Sequence, residues 1–80
     1  MAVSDEYRPE QLVGGAWQPV TRKGKPVVCG TRGSAIAALK RVAPTSTARA
    51  VKALQPHEAT VRVVDEYGAV VWPTVLKGYA

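Results

Sequence analysis

Three stretches of this 80-residue chain combine residue types and spacings that bear on chemistry, and all three point to phosphate rather than to bond making. Arg22-Lys23-Gly24-Lys25 sets three cations around a glycine, a pattern suited to a phosphate backbone. Gly30-Thr31-Arg32-Gly33 leads into a helical pattern and reads first as a turn and helix cap, although backbone amides at such a start can hold an anion and Arg32 would add charge. Arg49 and Lys52, three apart, share one face of a second helical pattern. Catalytic patterns are missing. The single histidine, His57, follows Pro56 with no nucleophile signature beside it, so a Ser–His–Asp triad is not supported. Asp65 and Glu66 read as turn carboxylates, and Cys29 as a small core hydrophobe. One Cys and one His are too few for structural zinc. The expectation is a non-enzyme with no metal, no cofactor and no small-molecule substrate.

Charge is sorted along the chain. Of the six acidic residues, Asp5, Glu6 and Glu10 lie near the start, and Glu58, Asp65 and Glu66 near the end. Between them, residues 11–57 carry Arg22, Lys23, Lys25, Arg32, Lys40, Arg41, Arg49 and Lys52 without a single Asp or Glu. The net charge of +5 is thus concentrated in one block. Such a block attracts phosphates or the acidic surface of a protein partner. These eight residues are the candidate contact set.

The elements that must position them follow from periodicity and breakers. Residues 1–15 read as an N-terminal arm, with Pro9 opening a short helical turn over residues 10–13 that Gly14-Gly15 ends. Residues 16–80 form one domain. Residues 16–20, with Pro19 inside, suit an edge strand that returns as residues 26–29 across the turn Thr21–Lys25, a first hairpin with a cationic tip. Ser34 is placed to cap a helix over residues 35–42, in which Ile36, Leu39 and Ala43 make the apolar stripe. Pro44 ends it, because the residue before a proline avoids helical geometry. A second helix over residues 48–55 has the stripe Ala48, Val51 and Leu54, and Pro56 stops it. Val61 and Val63 alternate with Thr60 and Arg62 in a half-buried strand over residues 59–65. Gly68 serves a tight turn, and residues 69–72 return before a frayed tail, residues 76–80, in which Tyr79 is placed to dock. Trp17 and Trp72 read as core anchors. The order β-β-α-α-β-β packs as an α+β domain: a small antiparallel sheet of about four strands in two hairpins, with a short helix pair on one face.

Two local resemblances attach to these elements. The Gly-x-x-Gly spacing at residues 30–33, with Ile36 and Leu39 after it, resembles the loop with which KH domains clamp single-stranded nucleic acid, although KH domains place a helix before that loop and residues 26–29 read as strand. The helix pair around Ala43-Pro44-Thr45-Ser46, followed by a hairpin, resembles a winged helix-turn-helix. That resemblance implies that Thr45, Ser46, Thr47, Arg49 and Lys52 face DNA and that Arg62 supports the wing.

Length and composition bound the rest. A chain of 80 residues is one domain, and its 46% hydrophobic content suits a folded one. A single cysteine excludes an internal disulfide. No run approaches the length of a membrane span, and the acidic start, MAVSDEYRPE, is unlike a signal peptide, so the expected place is the cytoplasm of a host cell. In size, Ala/Val/Arg-rich composition and layout, the chain is similar to the small proteins of phages and mobile elements, anti-CRISPR proteins among them. The features concerned are the Arg22-Lys23-Gly24-Lys25 hairpin, the two helices and the closing hairpin over residues 59–72. The resemblance implies a stoichiometric inhibitor that binds a CRISPR effector or other nucleoprotein complex through its positive face and interferes with nucleic-acid engagement. The alternative is a DNA-binding regulator of helix-turn-helix type, or a KH-like single-strand binder. The partners expected are therefore Cas effector proteins, DNA or RNA, with no membrane.

Overall fold

Residues 6–52 and 59–73 are those the computed structural model describes. Gly14 and Gly15 both have positive φ, 58° and 85°, the combination of a type I′ turn, whose twist matches that of two antiparallel strands. They join β1 (Arg8–Val13) to β2 (Ala16–Pro19). The glycine pair closes a hairpin here rather than ending a helical turn. Residues 8–13 of the segment read as an arm therefore belong to the sheet.

The chain continues through β3 (Thr21–Arg22) and β4 (Lys25–Pro26). The helices α1 (Arg32–Val42) and α2 (Pro44–Lys52) follow, then β5 (Val61–Val64) and β6 (Val70–Trp72). Four strands make an antiparallel sheet in the order β2-β1-β5-β6, and β3 and β4 make a second, two-stranded one. This is the small α+β class expected, with one pairing changed. Residues 16–19 pair with β1 rather than with residues 26–29, and of the expected first hairpin there remain the β3–β4 ribbon and the Val20–Val27 hydrogen bond beside it.

Each helix starts earlier than expected, for a local reason. Thr31, in extended geometry, caps α1: its hydroxyl accepts the Ser34 N–H at 3.0 Å, so Ser34 sits inside the helix it was expected to cap. Ala43 alone separates α1 from α2, its N–H donating to the Leu39 carbonyl at 2.7 Å. Pro44 is the first residue of α2, where a missing N–H is harmless because that amide has no helical partner. The residue that ends one helix thus begins the next. Leu54, Gln55 and His57, and the tail 76–80 with Tyr79, lie outside the described residues.

Strand alternation puts Pro9, Val61 and Val63 on one face of the sheet and Glu10 and Arg62 on the other. On the first face α1 packs against β1 and β5, and α2 against β5. Val20, Ala35, Leu39, Ala50, Ala59, Val61 and Val63 form the buried cluster, with Trp72 and Cys29 packed at its margin. The α2 stripe is not the expected one. Thr47 and Ala50 are buried, Ala48 is exposed, and Val51 is 66% exposed. Thr47 goes inward at little cost because its hydroxyl donates to the Ala43 carbonyl at 2.7 Å, leaving no unpaired polar group. The closing hairpin is as expected. Asp65 Oδ1 accepts the N–H groups of Tyr67 and Ala69 at 2.8 and 2.9 Å, and Gly68 turns with φ of 84°.

Candidate functional site

The cationic hairpin tip owes its position to Pro9, the second residue of β1. β1 and β2 run in a register that sets Glu10 opposite Pro19, and therefore Pro9 opposite Val20. Every second facing pair in such a ladder exchanges both hydrogen bonds, and Pro9–Val20 stands at one of these positions. Pro9 has no N–H, so only one forms here, from the Val20 N–H to the Pro9 carbonyl at 3.0 Å. The Val20 carbonyl accepts from Val27 instead, at 2.9 Å. The same register would set residue 22 opposite Tyr7, yet Cys29 stands there, exchanging bonds with Tyr7 at 2.9 and 2.8 Å. Residues 21–28 are thus an excursion out of the line of β2, which resumes at Cys29.

That excursion carries the β3–β4 ribbon. All six residues 21–26 are exposed, while Val20 at its root is buried. Arg22 pairs with Lys25 across the ribbon, and Lys23 and Gly24 between them have φ of 54° and 79°. Two positive values again define a type I′ turn, which ordinarily takes Asn, Asp or Gly. Lys23 has a Cβ in this left-handed region, at a cost of about 1 kcal/mol. Arg22, Lys23 and Lys25 are thereby gathered on one solvated projection.

The other five candidates are spread over the helices. Arg49 and Lys52 lie on the side of α2 away from buried Thr47 and Ala50, and both are exposed. Lys40 and Arg41 are exposed in the last turn of α1. All four complement the negative ends of their helices, so part of their placement serves the helices themselves. Arg32 stands apart. It shares the stripe of Ala35 and Leu39 at the start of α1 and donates to the Val71 carbonyl of β6 at 3.3 Å, which turns it toward the sheet edge. Gly30 and Gly33 do not make a KH-like loop, since the β-bridge residue Cys29, not a helix, precedes them and Gly33 is already in α1.

Two residues that a helix-turn-helix arrangement would use, Thr47 to face DNA and Arg62 to support the wing, are committed elsewhere. Thr47 is 1% exposed. Arg62 donates to Glu10 Oε1 at 2.7 Å, and its guanidinium carbon sits 4.2 Å from the centroid of the Trp17 ring. Trp17 is therefore half-buried beneath Arg62 on the sheet face opposite the helices, not in the main core. Sequence reasoning missed this trio because its register depends on β1 being a strand.

The charge balance follows. Among the described residues the ion pairs are Arg8–Glu6 and Arg62–Glu10, both at 2.7 Å, and neither uses any of the eight candidates. Asp65 is held by its own turn. Among the described residues, too, no helix is long and apolar enough to cross a membrane. Comparison with family models, curated proteins and solved structures finds no match to this chain.

Proposed function

We propose that this chain is a non-catalytic binding protein that acts through its basic surface on a nucleic-acid-containing target. In this reading it is an inhibitor of the phage and mobile-element kind, occupying a CRISPR effector or similar nucleoprotein complex and interfering with nucleic-acid engagement. One observation carries the reading. The eight cations of the acid-free block are all exposed, and among the described residues none is neutralised by an ion pair, whereas Glu6 and Glu10 are tied up in pairs with other arginines. A surface kept positive in this way suits a polyanion.

The test is anisotropy of labelled duplex DNA, single-stranded DNA and RNA titrated with the protein at about 50 and 200 mM salt, beside a competition assay with a purified effector–guide complex. The reading expects binding that weakens steeply with salt, and loss of DNA engagement by the effector at stoichiometric inhibitor. Selective binding of one short duplex sequence, with no effect on the effector, would instead favour a regulator. No effect in either assay would sink both readings.

A further inference from the structure

The geometry points to the β3–β4 ribbon, rather than the helix pair, as the part of the molecule that contacts nucleic acid, and to B-form duplex DNA as its ligand. The inference rests on the proposed function and narrows it to one element and one partner.

Four features of the ribbon support the assignment. It is a projection, rooted by the buried Val20 and by the Val20–Val27 hydrogen bond, with every residue from 21 to 26 exposed. Half of those residues are cations and none is acidic. Its tip is a two-residue type I′ turn that sets Lys23 between the paired Arg22 and Lys25. Finally, a lysine occupies a backbone conformation that Asn or Gly would fill with less strain, so the side chain, not the turn, accounts for the residue there.

The ligand follows from what the ribbon offers and what it lacks. Thr21, Arg22, Lys23, Gly24, Lys25 and Pro26 include no aromatic ring, and single-strand binders depend on rings for bases to stack on. Cations without rings contact phosphates and the acceptor edges of guanine. A two-stranded ribbon fits the major groove of B-form DNA, about 12 Å wide, but not the deep, narrow major groove of A-form RNA. The helix cations are divided between two helices, and their places at the helix ends have a second explanation in the helix dipoles.

The test measures the dependence of affinity on salt for three full-length proteins: wild type, the ribbon variant R22A/K23A/K25A and the helix variant K40A/R41A/R49A/K52A. Each is titrated into a labelled 20-base-pair DNA duplex, the matching RNA duplex and the single strand. Each neutralised DNA phosphate contributes about 0.9 to the slope of log affinity against log salt. Three lost contacts flatten the slope by about 2.7, so the fall in affinity between about 50 and 200 mM salt shrinks about 40-fold. The inference expects that change for the ribbon variant on DNA, a slope change below about 1 for the helix variant, and weaker wild-type binding to the RNA duplex and the single strand. A ribbon variant that keeps the wild-type slope while the helix variant loses it overturns the inference and leaves the proposed function standing. Wild type that prefers single strands or RNA duplex overturns the choice of ligand. Wild type that binds none of the three overturns the inference, and the effector competition assay then decides the proposed function separately. K23N supplies a check that does not depend on lost folding. It is expected to melt several degrees higher than wild type, since Asn suits the turn, while binding DNA more weakly. Higher stability with unchanged affinity would show that Lys23 is not there for a ligand.

Discussion

The helix-covered face of the sheet and the β3–β4 ribbon are built on opposite rules. On the face, Leu39, Val61 and Val63 are buried among small residues, and the polar intruder Thr47 has its hydroxyl bonded internally. On the ribbon nothing is buried, and half of the residues carry charge. The face holds apolar area whose removal from water stabilises the fold. The ribbon adds almost none, so its composition is free to answer to a ligand. The contrast teaches that the stretch that holds the fold together and the stretch proposed for recognition are different parts of the chain, joined at Val20, which is buried yet leads directly into exposed residues.

The contrast can be broken by substitution. Leu39→Ala should show the largest effect: it truncates a fully buried side chain at the centre of the cluster and should cost about 2–5 kcal/mol by urea unfolding. A loss below about 1 kcal/mol would mean that the helices are not seated as described. Thr47→Val keeps the shape but removes the bond to the Ala43 carbonyl, and about 1 kcal/mol should be lost in the same measurement. Next comes the Arg62–Glu10 pair, whose side chains are 26% and 19% exposed. A double-mutant cycle with Arg62→Met and Glu10→Gln should give a coupling of about 1 kcal/mol that shrinks as salt is added. Zero coupling would remove the pair from the account of the open sheet face. Smallest of all, R22A/K23A/K25A should change unfolding stability by no more than about 0.5 kcal/mol, because no core contact is lost. A large loss there would erase the distinction between the two regions.

Much of this was legible in the residues, and the misses share a cause. The closing hairpin was readable because Val61 and Val63 alternate with polar neighbours and Asp65 and Gly68 make the turn within a few residues. The helices were readable because Pro44 and the polar residues before α1 act locally, although the cap falls at Thr31 rather than Ser34 and a proline that both stops and starts a helix shifted the second boundary. Strand β1 was hidden. Pro9 is a good first residue for a helix, and its place in a strand depends on Val20 and Val63, far away in sequence. The inward stripe of α2 was hidden for a similar reason, since Thr47 passes for a surface residue until its hydroxyl is seen to bond back to Ala43. The cations were visible by type and the acid-free block by count. That three of them share one hairpin tip was readable from Gly24 and its flanking cations, as the Arg22–Lys25 pairing shows; that this hairpin leaves the line of β2 depends on Pro9 and Cys29, which no local pattern encodes.

Pro9 has a consequence for how this chain can change over generations. Its missing N–H leaves the Val20 carbonyl to Val27, and Cys29 takes up the ladder again opposite Tyr7, so both ends of the excursion are fastened to the sheet. Whatever lies between those fastenings can be lengthened, shortened or rewritten without shifting β1 against β5, and doubling the length of such a loop costs only about 0.6 kcal/mol in closure entropy. Residues 21–26 are therefore an exchangeable cassette: their length and composition can change while the sheet that carries them stays the same.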